Sequence, residues 1–319
     1  PQDKETSQPS LQEIKSDSQK KEKDAEEPKL DIKQPEDTPA AGDLFREADN
    51  TGATKNDGKK TKQKQDKGDK VTEPAKIVRG KVTRAKTNER IIQLLETKQD
   101  SELTEEDKEL LRQYTGRGGL DMDIDNYSLN EFYTLPFITK FMWNALEKLG
   151  FKGGRVLEPS CGTGNFIETA PSNALITGVE LDKTSSRIAN ILYGNNHDIR
   201  NQSFEAFNSE SEGGEFDAVI GNCPFGVRGA SVVEDSRYRD LKTHEEYFVQ
   251  RGIDALKEGG IMAMIVPTSI MDNPSLNTFR LHINKQAEFL GAIRLPVEAF
   301  KHANASVTTD IVFFRKRPQ

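Results

Sequence analysis

The sequence has few of the residues that mark disulfide frameworks, metal sites and membrane proteins. It contains 2 cysteines and 4 histidines in 319 residues. Cys161 and Cys223 are far apart in no CxxC pattern, and the histidines lack metal-ligand spacing, so neither a disulfide framework nor a zinc site is expected. No apolar run reaches membrane-spanning length, and no signal-peptide core is present. We therefore expect a cytoplasmic protein with no metal and no membrane partner.

Apolar residues are also scarce, and the deficit is concentrated near the amino terminus. Hydrophobic residues make up 34% of the chain and charged residues 30%. The first part of the chain is rich in Lys, Glu, Asp, Gln, Ser and Pro, which cannot bury enough surface to offset chain entropy. We expect a disordered charged head and basic linker over residues 1–80, a helical segment over residues 81–127 and a catalytic domain over residues 128–319.

The charge of the amino-terminal part is polarised along the chain. Residues 1–50 hold eight Lys/Arg and fourteen Asp/Glu, a net of −6, whereas residues 51–90 hold thirteen Lys/Arg and five Asp/Glu, a net of +8. The overall net charge of −7 argues against a generally basic nucleic-acid coat. The basic stretch is interpreted either as a solvated linker or as a tether that binds phosphates without sequence preference.

The stretch Arg155–Phe166, RVLEPSCGTGNF, has the pattern of a cofactor-binding turn. It predicts the end of a buried strand at residues 155–158, a glycine-rich turn and a helix that begins at Asn165. Such a turn places backbone amides near a nucleotide-like ligand. Glycine at these positions permits positive φ and a close approach of the backbone to that ligand.

Predicted strands and helices alternate from residue 155 onward, after two helices within residues 87–115 and an amphipathic helix over residues 137–149. The predicted strands are 155–158, 175–181, 199–202, 216–220, 260–266, 289–294 and 309–315, with helices at 185–193 and 244–256. This alternation predicts an α/β fold with a mainly parallel seven-stranded sheet, helices on both faces and a closing hairpin-like pair. Ligands in such sheets bind at the carboxyl ends of the strands.

Glu180 follows the glycine turn by about twenty residues, the position that binds ribose hydroxyls in nucleotide-binding folds. The sequence has no GxGxxG, no GK[ST] and no lysine within the turn, which disfavours a phosphate ligand. A nucleoside cofactor without phosphates, S-adenosylmethionine, is therefore expected. The alternative is that Glu180 is a solvated acid at the end of a strand.

Asn222-Cys223-Pro224-Phe225 directly follows the fourth predicted strand. An exocyclic amino group is a poor nucleophile because its lone pair is conjugated into the ring. Two acceptors, the Asn222 side-chain oxygen and the Cys223 carbonyl, can take both amino hydrogens and free that lone pair. Pro224 stiffens the turn and Phe225 offers a face on which a planar base can stack. An ordinary Asn-containing turn is the alternative.

Together these motifs resemble the DNA adenine-N6 methyltransferases. The resemblance rests on YTLP at 133–136, EPSCGTGNF at 158–166, Glu180 and NCPF at 222–225, in the gamma order. Residues 113–120, the NCPFG loop and residues 290–317 also resemble the methylase part of methylase–helicase polypeptides of conjugative elements, plasmids and phages. The fold implied is the Rossmann-like fold of class I S-adenosylmethionine-dependent methyltransferases.

The resemblance implies a role for each matching residue. Cofactor-binding roles fall on Tyr133, Thr134, Pro136, Glu158, Pro159, Ser160, Cys161, Gly162, Gly164, Asn165, Phe166, Glu180, Leu181, Ser203 and Phe204. The catalytic residues implied are Asn222, Cys223, Pro224 and Phe225, which would receive a flipped adenine. Many relatives have proline at the position of Cys223 and an acid at the position of Ser203, so adenine contact there rests on backbone or on Glu205.

The stretch after the catalytic turn carries Arg228, Arg237 and Arg239, which we interpret either as DNA phosphate contacts or as part of a solvated loop. His244 is expected to cap or pack a helix rather than act as a base.

The resemblance implies DNA adenine-N6 methylation by an enzyme of a mobile element, with DNA as partner and a helicase or specificity partner left open. The alternatives are methylation of RNA adenine or protein glutamine, and a non-catalytic DNA-binding or anti-restriction accessory.

Overall fold

A seven-stranded sheet organises the part of the chain that the computed structural model describes, which comprises residues 81–116, 134–209, 214–228, 235–296, 299 and 308–318. The head and linker expected over residues 1–80, Tyr133, and the boundary expected between residues 127 and 128 lie outside the described residues.

The sheet consists of seven strands: β1 (Gly154–Glu158), β2 (Ala174–Glu180), β3 (Asp198–Asn201), β4 (Phe216–Asn222), β5 (Leu256–Pro267), β6 (Ala287–Arg294) and β7 (Thr309–Lys316). The order across the sheet is β3-β2-β1-β4-β5-β7-β6. Neighbours among β1–β5 pair in parallel, and β7 is antiparallel to both β5 and β6. The predicted mainly parallel sheet with an antiparallel closing pair is confirmed.

Helices cover both faces of the sheet. The α-helices are α1 (Lys81–Thr97), α2 (Glu105–Leu111), α3 (Pro136–Lys148), α4 (Asn165–Glu168), α5 (Lys183–Tyr193), α6 (Phe204–Ser209), α7 (His244–Ala255), α8 (Ser269–Asp272) and α9 (Asn277–Gln286). Short 3-10 turns lie at Asp100–Glu102, Ser236–Tyr238 and Pro274–Leu276.

Strand β5 shows why the sheet has an apolar core on each side. Successive side chains of a strand point to opposite faces. Ile261, Ala263 and Ile265 accordingly pack into the core that contains α3 and α4. Met262 and Met264 pack into the other core, which contains α6, α7 and α9. A strand buried on both faces has a continuous apolar sequence, as a central strand of a parallel sheet requires.

The helical segment α1–α2 packs against helix α5. Ile91, Leu95, Leu111 and Tyr114 form a small apolar cluster with Ile188 of α5. An ion pair joins Arg187 of α5 to Asp100, with an N–O distance of 2.6 Å. The two helices predicted within residues 87–115 are therefore confirmed, although α1 begins earlier, at Lys81.

Strand β5 and helix α9 are two of the elements that differ from the sequence prediction. Strand β5 begins at Leu256 instead of residue 260, because Leu256 pairs with Phe216 before a register shift. Helix α9 was not predicted, since only Phe279 and Ile283 in it are buried while Leu281 is exposed. Two buried apolar residues spaced four apart give too weak a periodic signal in a helix of this length.

Candidate active site

The glycine turn and the NCPF turn meet in one cavity above the carboxyl ends of the parallel strands. The cavity volume is about 170 Å³. Of the residues predicted from the sequence, it is lined by Thr134, Glu158, Pro159, Ser160, Cys161, Gly162, Asn165, Phe166, Glu180, Leu181, Ser203, Phe204, Asn222, Cys223 and Pro224. Pro136, Gly164 and Phe225 lie outside that lining, where Pro136 begins α3 and Phe225 is partly buried against both apolar cores.

Backbone hydrogen bonds fix the glycine turn to strand β2. The Cys161 N–H donates to the Val179 carbonyl at 3.0 Å. Gly164 has a φ of +93° and precedes α4 as its N-cap residue. A Cβ at Gly178 would lie 3.0 Å from the Cys161 sulfur, so glycine in β2 makes room for the turn. The turn is therefore shaped by its neighbouring strand as well as by its own glycines.

Glu180, at the end of β2, accepts hydrogen bonds from the glycine turn that follows β1 and from the residues that follow β2. One carboxyl oxygen accepts the Gly162 N–H at 2.8 Å and the other accepts the Asp182 N–H at 2.7 Å. Burial raises the pKa of Glu180, and the two backbone donors oppose that shift. Each carboxyl oxygen has a second lone pair, which leaves acceptor capacity toward the cavity.

Glu158, at the end of β1, is a buried acid whose second oxygen makes no hydrogen bond to any described residue. It is 1% exposed and lines the cavity. Burial, with a smaller contribution from Glu180, raises the pKa of Glu158 well above its ordinary value. An acceptor without a donor inside a cavity fits a cationic or hydrogen-donating ligand, and the ammonium group of S-adenosylmethionine has that chemistry.

Glu158 should make folding stability depend on pH. Since its folded-state pKa is raised, its contribution is favourable below the unfolded-state pKa and is lost as pH rises through the folded-state value. We expect Glu158→Gln to raise the free energy of unfolding at pH 8 by at least about 1 kcal/mol, with the gain vanishing near pH 4.5. Urea titrations over this pH range measure it. The exposed Glu147→Gln provides a control, and a Glu158→Gln protein less stable than wild type at pH 8 would contradict the account.

The NCPF turn contacts the glycine turn directly. The Ser160 hydroxyl donates to the Asn222 carbonyl at 2.8 Å, and the Asn222 Nδ2 donates to the Thr134 hydroxyl at 3.3 Å. Asn165 adds a bond from its Nδ2 to the Thr134 carbonyl at 3.1 Å. The Cys223 thiol is buried and bonds the Ile265 carbonyl at 3.4 Å, so its side chain is directed toward β5.

Helix α7 fixes the chain that follows the NCPF turn. Gly226 donates its N–H to Glu245 at 3.0 Å and accepts the His244 N–H at 2.9 Å. Thr243 caps the helix in a capping box with Glu246. The helix terminus therefore positions the turn. Thr243 is the cap, and His244, which was expected to cap or pack this helix, is its first residue.

The three arginines predicted to contact DNA differ in placement. Arg228 is buried; its Nε lies 3.4 Å from Glu205 Oε1, and its guanidinium lies 3.9 Å from the centre of the Tyr247 ring. This corrects the expectation that Arg228 faces DNA or solvent, because a buried, ion-paired guanidinium cannot reach a phosphate in this conformation. Arg237 and Arg239 are exposed, and Arg237 pairs with Asp235.

Several residues that line the cavity were not assigned to it from the sequence. They are Ser185, Gln202, Glu205, His244 and Phe248. Gln202 and Glu205 flank the predicted Ser203–Phe204 pair, and Glu205 had been considered only as a substitute acid. His244 and Phe248 are four residues apart, which places both on one helix face. Burial lowers the pKa of His244, which favours its neutral form.

Two kinds of feature are absent from the part of the chain that the structure describes. No group of three or more His, Cys, Asp or Glu side chains there is arranged to hold a metal ion. No helix within the same residues is both long and apolar enough to cross a membrane.

Sequence relatives are DNA modification and phage proteins. Defense against restriction protein B of Escherichia phage P1 is 36% identical over 236 residues, 74% of this chain and 10% of that protein. Modification methylase CviBIII of Paramecium bursaria Chlorella virus NC1A is 37% identical over 124 residues, 37% of this chain and 32% of that protein. The chain thus spans a tenth and about a third of the lengths of these relatives.

Solved structures share the fold at low sequence identity. A Listeria monocytogenes protein assigned to the class I S-adenosylmethionine-dependent methyltransferases has a TM-score of 0.53 at 18% identity, covering 75% of this chain and 80% of its own. The methyltransferase subunit of a type I restriction-modification system from Streptococcus thermophilus has a TM-score of 0.50 at 21% identity, covering 59% and 46%. The expected class I methyltransferase fold is confirmed.

The family profile of N-6 DNA Methylase matches residues 125–319, more than half of the chain and all of the described sheet. The cavity between the glycine turn and the NCPF turn lies within the same residues. The chain therefore belongs to the N-6 DNA methylase family.

Proposed function

We propose that the chain is an S-adenosylmethionine-dependent methyltransferase that acts on the N6 amino group of adenine in DNA. The observation that carries the proposal is the pairing of two turns over neighbouring strands. Strands β1 and β4 are adjacent, and the Ser160 hydroxyl bonds the Asn222 carbonyl across their ends at 2.8 Å. A donor site and an acceptor site for one transferred group must be adjacent in this way.

The cavity residues fit S-adenosylmethionine in the orientation expected from the sequence. Thr134 and residues 160–166 would hold the methionine portion, with Glu158 as the acceptor for its ammonium group. Glu180 would accept the ribose hydroxyls through the lone pairs that Gly162 and Asp182 leave free. The cofactor, when bound, supplies an electrophilic methyl group on a sulfonium.

The NCPF turn would prepare the adenine nitrogen for attack. The Asn222 side-chain oxygen and the Cys223 carbonyl would accept the two N6 hydrogens, which withdraws the nitrogen lone pair from the ring. The thiol of Cys223 is directed to Ile265, so a residue other than proline at this position leaves the carbonyl role intact. Phe225 would stack on the base once it is flipped from the duplex.

DNA as the substrate class is supported by the family and by the modification methylases among the relatives. Arg237 and Arg239 are exposed beyond the NCPF turn and are the proposed phosphate contacts. The gamma order of motifs, a mobile-element origin, a cytoplasmic location and a helicase or specificity partner belong to the same proposal.

A second candidate function is an anti-restriction accessory without catalysis. One relative is a phage protein named for defence against restriction, which favours this alternative. The accessory function differs from the methyltransferase function because an accessory transfers no methyl group, even if its cavity binds the cofactor.

Methyl transfer to three substrate classes tests the proposal. The purified chain would be incubated with S-adenosylmethionine carrying a labelled methyl group and with DNA, RNA or a protein extract. We expect label in DNA, recovered as N6-methyl-2′-deoxyadenosine after digestion to nucleosides. Label recovered in RNA or in glutamine would assign another substrate. Cofactor binding by calorimetry with no transfer to any substrate would favour the accessory.

A further inference from the structure

We propose that Gln202 binds the Watson–Crick edge of the cofactor's adenine and so makes the site selective for a cofactor whose base is adenine. Gln202 lies outside the set of residues assigned to the cofactor from the sequence, where Ser203 and Phe204 were placed at the base. The inference rests on the proposed function, because it requires that the cavity bind S-adenosylmethionine.

Strand order places Gln202 at the base end of the cofactor. Strands β3, β2 and β1 are consecutive in the sheet and end at Asn201, Glu180 and Glu158. The methionine and ribose portions are assigned to the ends of β1 and β2, so the base falls at the end of β3. Strands lie about 4.8 Å apart, which gives about 10 Å from β1 to β3, a span that suits a nucleoside with its sulfonium.

Hydrogen bonds join the end of β3 to Glu180, the residue proposed to bind the ribose. The Gln202 N–H donates to the Glu180 carbonyl at 3.1 Å. The Asn201 Nδ2 donates to the same carbonyl at 2.9 Å. Gln202 also lines the cavity with Phe204 and Phe248, whose ring centres are 4.8 Å apart. The side chain therefore begins beside the ribose-binding acid and next to an apolar wall suited to a planar base.

The neighbouring polar side chains are engaged elsewhere. The Ser203 hydroxyl oxygen accepts the Ala206 N–H at 2.9 Å in the first turn of α6. Glu205 pairs with the buried guanidinium of Arg228 at 3.4 Å. In contrast, the Gln202 Nε2 is buried and makes no hydrogen bond to a described residue. A buried donor of this kind is costly, and rotation of the amide onto a ligand acceptor would satisfy it.

The chemistry of the amide matches adenine. A glutamine side chain offers one acceptor and two donors on a planar group, and it pairs with adenine through two hydrogen bonds. At the Watson–Crick edge, Oε1 would accept from the 6-amino group and Nε2 would donate to N1. An ionised aspartate at the position of Ser203 could only accept hydrogen bonds. Gln202 can instead accept one hydrogen bond from adenine and donate another to it.

A residue–ligand double-mutant cycle tests this assignment. The two proteins are the wild-type chain and Gln202→Met, and the two ligands are S-adenosylhomocysteine and its 6-deamino purine analogue. We expect wild type to bind S-adenosylhomocysteine about tenfold tighter than the analogue, the effect of one buried hydrogen bond. We expect Gln202→Met to bind both ligands equally and about as weakly as wild type binds the analogue. Gln93→Met, an exposed glutamine on α1, should behave as wild type.

The outcomes separate this inference from the proposed function. If Gln202→Met keeps the preference for the 6-amino ligand, or binds S-adenosylhomocysteine as wild type does, Gln202 does not read the base and the inference is wrong. If wild type binds neither ligand, the cofactor assignment and with it the proposed function fail. Urea titration of Gln202→Met separates a binding loss from a folding loss.

Discussion

Asn222→Ala is expected to lower the rate of methyl transfer to DNA by about a thousandfold while S-adenosylmethionine still binds. The substitution removes one of the two acceptors that would withdraw the amino lone pair from the adenine ring, and loss of one such preorganised group commonly costs 10²–10³ in rate. The cofactor contacts assigned to Glu158 and Glu180 are untouched. Single-turnover transfer of labelled methyl groups measures the rate, and calorimetry measures cofactor affinity.

Two further variants sharpen the Asn222 prediction. Asn222→Asp keeps the shape but loses the Nδ2 donor to Thr134 and adds a carboxyl group to a cavity that Glu158 and Glu180 already line, so we expect it to be nearly as slow as Asn222→Ala. Asn195→Ala, an exposed asparagine after α5, should transfer at the wild-type rate. Wild-type transfer by Asn222→Ala would remove Asn222 from the mechanism.

Gly164→Ala is expected to lower the free energy of unfolding by about 3 kcal/mol or more and to abolish cofactor binding. Two physical costs combine at this position. Its φ of +93° is strained for a residue with a Cβ, and that Cβ would lie 2.6 Å from the Tyr193 ring. The ring cannot move freely because Arg112 Nη1 donates to its hydroxyl at 2.8 Å. Urea denaturation and calorimetry measure the two losses.

A second glycine with positive φ, Gly259, separates the cost of backbone strain from the cost of steric overlap at Gly164. Gly259 also has a positive φ, +77°, but a Cβ there would meet no atom within 4 Å. Gly259→Ala should therefore lose only about 1–2 kcal/mol, the cost of the left-handed conformation, and keep its cofactor affinity. Equal losses in the two variants would show that contact with Tyr193 does not decide the effect at Gly164.

The cavity could be predicted from the sequence where backbone geometry dictates residue type. The glycine turn requires Gly162 and Gly164 in left-handed conformations, and Asn222 ends a strand, so both signals are local. The α/β alternation then brings the two turns to one edge, because parallel strands share their carboxyl ends. These features follow from short stretches of chain and from topology.

The remaining features depend on tertiary contacts that no local pattern records. Arg228 looks like a loop arginine in the sequence, yet Glu205 and the Tyr247 ring enclose it. Ser203 was placed at the adenine, but its hydroxyl is engaged at the start of α6. Phe248 lines the cavity only because α7 packs against β4 and β5, which depends on tertiary packing.

A structure of the chain with S-adenosylhomocysteine and a DNA duplex tests the central claim most directly. We expect an adenine outside the duplex with its N6 within about 3 Å of both the Asn222 side-chain oxygen and the Cys223 carbonyl. The homocysteine sulfur should then face the same nitrogen. An adenine bound elsewhere, or a ligand whose sulfur points away from Asn222, would contradict it.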